Sequence, residues 1–167
     1  MKESKSLEII KHAILLEKRG KAFYRKVSEQ TKDSATREFF EMMANEETKH
    51  ISVLSEQYKI LKNKGRFNTV SSDINETGET ISDALSNKIK EKISAASYES
   101  AAISAAITFE ENAVKLYSAR ASEAKDPEEK KIYTWLATWE RQHSKMLIEI
   151  DKALVETIWN DNQFWPF

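Results

Sequence analysis

The sequence predicts an all-α chain: a four-helix bundle made of two repeated helical hairpins, with a long crossover between the second and third helices. Three observations predict it. Apolar residues recur at helical spacing over four long stretches. Glycine and proline, at 3 and 2 among 167 residues, are too scarce to punctuate a chain of short strands and turns. The pattern of the first half also returns in the second at a constant offset. Hydrophobic residues make up 40% of the chain, enough for a core, and its length suits one domain over residues 1–167 better than two.

The first helix is expected from about Ser6 to Gln30, where Ile9, Ala13, Leu16, Glu17, Gly20, Phe23, Tyr24 and Val27 share one stripe. The second opens at Asp33 and Ser34, both good N-caps, and carries Phe39, Phe40, Met43, Glu47, His50, Leu54, Tyr58 and Leu61. Together they make a first hairpin over about 6–64. A polar link from Gly65 to Thr80 and a short amphipathic piece over about Ile81 to Ile93 form the crossover, about 65–94. That length suits a connection running along the bundle. The third helix, about Ser97 to Glu123, carries Ile103, Ala106, Glu110, Ala113, Val114 and Tyr117. The fourth opens with Asp126-Pro127-Glu128-Glu129, which supplies an N-cap, a proline at the first helical position and a glutamate three residues after the cap. Its stripe is Ile132, Leu136, Glu140, His143, Leu147, Ile150 and Leu154. This second hairpin spans about 95–156. An aromatic tail over 157–167 (Trp159, Phe164, Trp165, Phe167) is expected to strap the bundle or to meet another subunit.

Composition removes several functions. Lys plus Arg number 26 against 27 Asp plus Glu, a formal charge of −1, so neither a nucleic-acid binder nor a polybasic membrane anchor is indicated. No uncharged stretch approaches the ~18 residues of a spanning helix, and the charged opening from Met1 to Lys18 lacks a signal-peptide core. A cytoplasmic protein is the expectation. Cysteine is absent, which excludes thiolate metal sites, a cysteine nucleophile and a rubredoxin-type iron domain within this chain. Any metal must be held by carboxylate and imidazole.

A glutamate, joined in two cases by a histidine, interrupts every apolar stripe on the face that should be buried. The interruptions repeat. Ala13-Ile14-Leu15-Leu16-Glu17 recurs as Ala106-Ile107-Thr108-Phe109-Glu110, an offset of 93, and the same offset relates Tyr24 to Tyr117, Asp33 to Asp126, Glu47 to Glu140 and His50 to His143. Each half reads Glu, then Glu-x-x-His beginning 30 residues later. Within each antiparallel hairpin the two glutamates stand equally far from the turn, about 22 Å along either helix at 1.5 Å per residue, so they meet at one level. Residues three apart share a helix face, so His50 joins Glu47 and His143 joins Glu140.

If the two hairpins pack about a twofold relation, four carboxylates and two imidazoles converge in mid-bundle. Two carboxylates can then bridge a pair of ions while the others chelate, each ion taking one neutral imidazole. The four negative charges balance two divalent cations. Oxygen and imidazole ligands fit iron or manganese, with zinc able to bind in vitro. A lone Glu-x-x-His is a weak signal, but two copies in register with the hairpin turns form a specific one. The alternative is a metal-free helical interaction module, which must bury four glutamates without compensation.

Through Ala13-x-x-x-Glu17, Tyr24, Glu47-x-x-His50, Glu110, Tyr117 and Glu140-x-x-His143, the sequence resembles the ferritin-like superfamily and, within it, the rubrerythrin-type di-iron proteins. The resemblance spans nearly the whole chain. It implies a left-handed bundle binding two iron ions, with Glu47 and Glu140 bridging, Glu17 and Glu110 terminal, and His50 and His143 one per ion. Two departures stand out. Rubrerythrins usually carry an extra glutamate one turn after the third-helix ligand; here that position is Ala113, and its first-half counterpart is Gly20. The ligand set is therefore the symmetric one, closer to bacterioferritin. The rubredoxin-like tail is also missing, so turnover requires an external electron donor such as a separate rubredoxin-like protein.

Around this constellation, the position of Gly20 either leaves room for a small oxidant or permits close helix packing. Tyr24 and Tyr117 either hydrogen-bond a ligand carboxylate or carry an electron, or else pack in the core with a satisfied hydroxyl. Glu46 is expected at the surface, the alternative being that it orients an imidazole of the opposite half; Glu111, off the inward stripe, is expected in solvent, and His12 falls outside both motifs as an ordinary helix residue. The leading functional expectation is a di-iron oxidoreductase reducing hydrogen peroxide, or dioxygen, in oxidative-stress defence, from a homo-oligomer in which a dimer is favoured. The alternative is ferroxidase action or iron storage of bacterioferritin type.

Overall fold

The computed structural model describes residues 4–70, 83–93 and 97–161. Those residues form α1 (Lys5–Gln30), α2 (Ser34–Lys64), α3 (Asp83–Lys92), α4 (Tyr98–Glu123) and α5 (Pro127–Asp161), with no strand among them. The four long helices are those that the periodicity predicts, and α3 lies within the crossover. Their starts follow local chemistry. Ser4, Asp33 and Ser97 sit in extended backbone and accept from the N–H of Leu7, Thr36 and Ser100, three residues on, while Asp126 Oδ1 accepts from Glu128 N at 2.8 Å. α2 ends at Gly65, whose φ of 69° lies in the left-handed region and turns its N–H onto Leu61 O at 2.9 Å.

α1 packs along α2, and α4 along α5. The first turn is clamped by Arg37, whose Nε and a terminal nitrogen donate to Thr31 O at 3.2 and 2.9 Å. At the other end of the molecule Arg120, late in α4, reaches Ser6 Oγ at the start of α1 at 3.1 Å. α1 and α4 therefore run antiparallel, and the two hairpin turns lie at opposite ends of the bundle. Two apolar clusters fill those ends. One includes Tyr24, Phe39, Phe40, Ile103, Leu147 and Ile150; the other includes Ile10, Leu54, Tyr117, Ile132, Tyr133 and Leu136. The crossover is pinned to both: Phe67 is buried in the second cluster, and Ile89 and Ile93 in the first.

α5 continues past Leu154 to Asp161 because no glycine or proline intervenes before Pro166. The start of the segment expected as a tail is thus helix, and Trp159 on it is about half exposed, at 53%. Phe164, Trp165 and Phe167, and the polar link over 71–82, lie outside the described residues. No helix among the described residues is long and apolar enough to cross a membrane.

Candidate metal centre

A charged layer separates the two apolar clusters. Glu17 enters it from α1, Glu47 and His50 from α2, Glu110 from α4, and Glu140 and His143 from α5, none more than 3% exposed. The six residues that the repeat singles out are therefore neighbours in space. They fall into two groups, Glu17–Glu47–His50–Glu140 and Glu47–Glu110–Glu140–His143, in each of which one ligand atom per residue lies within 4.8 Å of the others. Glu47 and Glu140 belong to both groups, and each group has one imidazole.

Both imidazoles turn Nδ1 toward carboxylates. His50 Nδ1 lies 2.9 Å from Glu140 Oε1, 3.1 Å from Glu17 Oε2 and 3.5 Å from Glu47 Oε2. His143 Nδ1 lies 3.3 Å from Glu140 Oε2 and 3.9 Å from Glu110 Oε2. The two rings stack with centroids 6.0 Å apart. Tyr24 of the first hairpin donates to Glu110 Oε1 of the second, and Tyr117 of the second donates to Glu17 Oε1 of the first. Both tyrosines are fully buried, so they pack in the core and hydrogen-bond a carboxylate at once.

The donor set is under-satisfied as a protein-only cluster. Both oxygens of Glu47 and of Glu140, Glu110 Oε2, His50 Nε2 and His143 Nδ1 are buried without a hydrogen-bond partner. Several stand close to an opposite group but meet it without hydrogen-bond geometry. Unpartnered buried carboxylate oxygens are costly, and they are the atoms that a hard or borderline divalent cation binds. The residues present thus fit a pair of cations.

Protonation responds to the crowding. Burial, with Glu140 and Glu17 nearby, holds Glu47 well above the usual carboxylate range. Burial and Glu140 push Glu110 up to about 8. Burial alone would lower both histidines, but the carboxylates around them prevail: Glu140, Glu17 and Glu47 hold His50 well above its ordinary value, and Glu110 and Glu140 raise His143 to about 10. Burial raises Glu140 too, but His50, with Glu110 and His143, overrides it and leaves its carboxyl well below the usual range. In the metal-free chain, protons supply the positive charge that the cage requires.

The surroundings bring one correction and two additions. Glu46, expected at the surface, is only 3% exposed and pairs with Lys49 Nζ at 2.8 Å. Its counterpart across the repeat is Trp139, also buried, so the fold covers this position in both halves, and Lys49 compensates the carboxylate. The space beside Gly20 is filled: a Cβ there would stand 2.7 Å from Phe109 Cε1 and 3.3 Å from Glu47 Oε1. Close packing is the role of this glycine. Glu111 is exposed, as expected, and so is His12. Trp135 and Trp139 went unread in the sequence as neighbours of the cage. Trp135 stands edge-on to His50 with centroids 5.3 Å apart, and Trp139 lies 6.2 Å from His50 and 6.0 Å from His143. Their signal was the four-residue step from 135 through 139 to 143, which aligns three rings on one face of α5.

Residues 5–150 match the family model of the ferritin-like domain, which takes in all four long helices up to residue 150 and all six residues of the cage. No curated protein and no solved structure matches the chain.

Proposed function

For this chain, which belongs to the ferritin-like domain family, we propose the role of a cytoplasmic non-haem di-iron oxidoreductase of rubrerythrin type, reducing hydrogen peroxide or, alternatively, dioxygen. One observation carries the reading: two four-residue ligand groups that share Glu47 and Glu140, each with its own imidazole, and whose buried oxygens have no partner. In this proposal Glu47 and Glu140 would be shared by the two ions, Glu17 and His50 would complete one position, and Glu110 and His143 would complete the other. An iron pair held by these residues would supply electrons and Lewis acidity, with manganese an alternative occupant.

The protein's part is support. Tyr24 and Tyr117 each anchor one oxygen of a terminal carboxylate and so hold Glu110 and Glu17 toward the cage. The apolar clusters on either side keep bulk water from the layer. The reading includes an external electron donor, such as a separate rubredoxin-like protein. A second reading, ferroxidase or storage, is favoured by the residue one turn beyond the first-helix glutamate of each half: Gly20 and Ala113 offer no further carboxylate, leaving the symmetric ligand set.

The test is metal content together with the rate at which the ferrous protein is oxidised by peroxide and by dioxygen. Two irons per chain with peroxide the faster oxidant is the expected result. A large hollow particle by light scattering, oxidised faster by dioxygen, would favour storage. No stoichiometric metal, and no rise in melting temperature on metal addition, would leave a metal-free helical module.

A further inference from the structure

The cage is closed differently on each of its sides. The two apolar clusters close its ends. α1 packs along α2, and α4 along α5. The seam between α2 and α5 is covered by α3, which packs against both, and at the level of the cage Trp135 and Trp139 stand against the imidazoles. The remaining seam, between α1 and α4, is closed at this level by the ring of Phe109. A Cβ built on Gly20 would lie 2.9 Å from Phe109 Cζ and 3.3 Å from Glu47 Oε1, so the tip of the ring and that carboxylate oxygen flank a single point. Glu47 Oε1 is one of the buried oxygens without a partner, and Phe109 is partly exposed. A single ring stands between solvent and a carboxylate of the cage.

The repeat shows that this ring does more than fill space. Under the offset of 93, Phe109 and Gly20 correspond to Leu16 and Ala113. A leucine beside an alanine in one half is replaced by a phenylalanine beside a glycine in the other, with about the same total volume, so either pair serves close packing. The pairs differ in how they are held. Leu16 packs against the second apolar cluster, whereas Phe109 is not among the described residues of either cluster. A leucine rooted in a core leaves a void when it moves. A ring resting on a glycine and a carboxylate, with one side open to water, turns about its own bonds at little cost. Leu116, seven residues on and therefore on the same stripe of α4, is 39% exposed and extends the apolar approach outward.

We propose that Phe109 is the port and size filter of the cage: its ring turns against Gly20 to admit hydrogen peroxide along the α1–α4 seam and holds back organic hydroperoxides. The inference rests on the reading of the cage as a peroxide-reducing di-iron centre. The selection is steric. Hydrogen peroxide has two heavy atoms and passes a turned ring, whereas the alkyl or aryl group of R–O–O–H needs the volume that the ring itself occupies. Behind the port the reaction is the same for either substrate. The O–O bond breaks as two electrons arrive from the donor protein and two protons from solvent, giving two waters from hydrogen peroxide, or R–OH and one water from the organic compound.

Two measurements on the full chain test it. In the metal-free protein, a water-soluble carbodiimide with an amine nucleophile converts accessible carboxyls to amides, which mass spectrometry maps. Glu47 should be protected in the native chain and react at least tenfold faster in Phe109→Ala, while Glu129, 3% exposed and paired with Arg120 at one end of the bundle, stays protected. In the iron-loaded protein, with metal counted on the same sample, the rate of oxidation by cumene hydroperoxide relative to that by hydrogen peroxide should rise at least tenfold in Phe109→Ala. Phe109→Leu should shift both readouts the same way by less, and adding Gly20→Ala, which rebuilds the Leu16–Ala113 pair, should shift them back. Glu47 still protected in Phe109→Ala, Glu47 and Glu129 labelled together, or an unchanged rate ratio overturns the port. A native protein with two irons that cumene hydroperoxide oxidises as fast as hydrogen peroxide does sinks the filter and leaves the di-iron reading standing. Failure to bind iron sinks both.

Discussion

Raising the pH of the metal-free protein should destabilise it across neutrality, a direction opposite to that of a protein held by ordinary carboxylate pairs. Glu110 titrates at about 8 in the folded chain and near the usual carboxylate value when unfolded; His143 titrates at about 10 folded and near 6.5 unfolded. Between pH 6.5 and 8 the folded state therefore holds up to two protons that the unfolded state has released. Stability must then fall as pH rises, by about 1.4 kcal/mol per pH unit for each such proton. Over that window the loss is about 2 to 4 kcal/mol, which lowers the melting temperature by several degrees in a domain of this size. The raised values of Glu47 and His50 act in the same sense. The depressed Glu140 acts the other way, with its contribution lost only at acid pH as it protonates. Thermal denaturation with chelator at half-unit steps of pH measures the slope. Repeating it with two equivalents of divalent metal should flatten or reverse it, because cations then take the place of the protons and their binding releases protons. A metal-free melting temperature that stays level or climbs from pH 6.5 to 8 would refute the claim that protons neutralise the cage.

Substitutions separate the parts of the structure. Glu47→Ala and Glu140→Ala should each abolish binding of the second metal, measured by titration with metal analysis. In the metal-free state Glu47→Gln should be neutral or stabilising, since it removes a carboxylate with no partner, whereas Glu140→Gln should cost about 1–3 kcal/mol by leaving His50 and His143 less compensated. Gly20→Ala drives a methyl group into the Phe109 ring and should cost about 1–3 kcal/mol in urea denaturation, most of it recovered with Phe109→Leu. Arg120→Val alone strands buried Glu129 and should cost about 3–5 kcal/mol; combined with Glu129→Thr it reproduces the Val27–Thr36 pair of the first half and should recover most of that loss. Equal losses in the single and double variants would show that the ion pair is not what its removal disturbs.

The six cage residues were legible before any coordinates because two numbers govern them. The helical rise sets each glutamate's level relative to its hairpin turn, and the three-residue step puts each histidine on its glutamate's face. Both are properties of one helix at a time, and so are the caps at Asp33 and Asp126, which act within a single turn. The partners across helices were not legible. Tyr24 could be placed on the inner stripe of its helix, but that it reaches Glu110 rather than Glu17 depends on how the two hairpins dock. Glu46 was misjudged for a related reason: a stripe drawn along one helix does not tell how wide an arc its neighbours cover. The Phe109 ring in the space beside Gly20, the tryptophans against the imidazoles, and the stranded hydroxyl of Tyr133 are likewise outcomes of lateral packing. They depend on the rotation and offset of one hairpin against the other, which periodicity along a single chain does not encode.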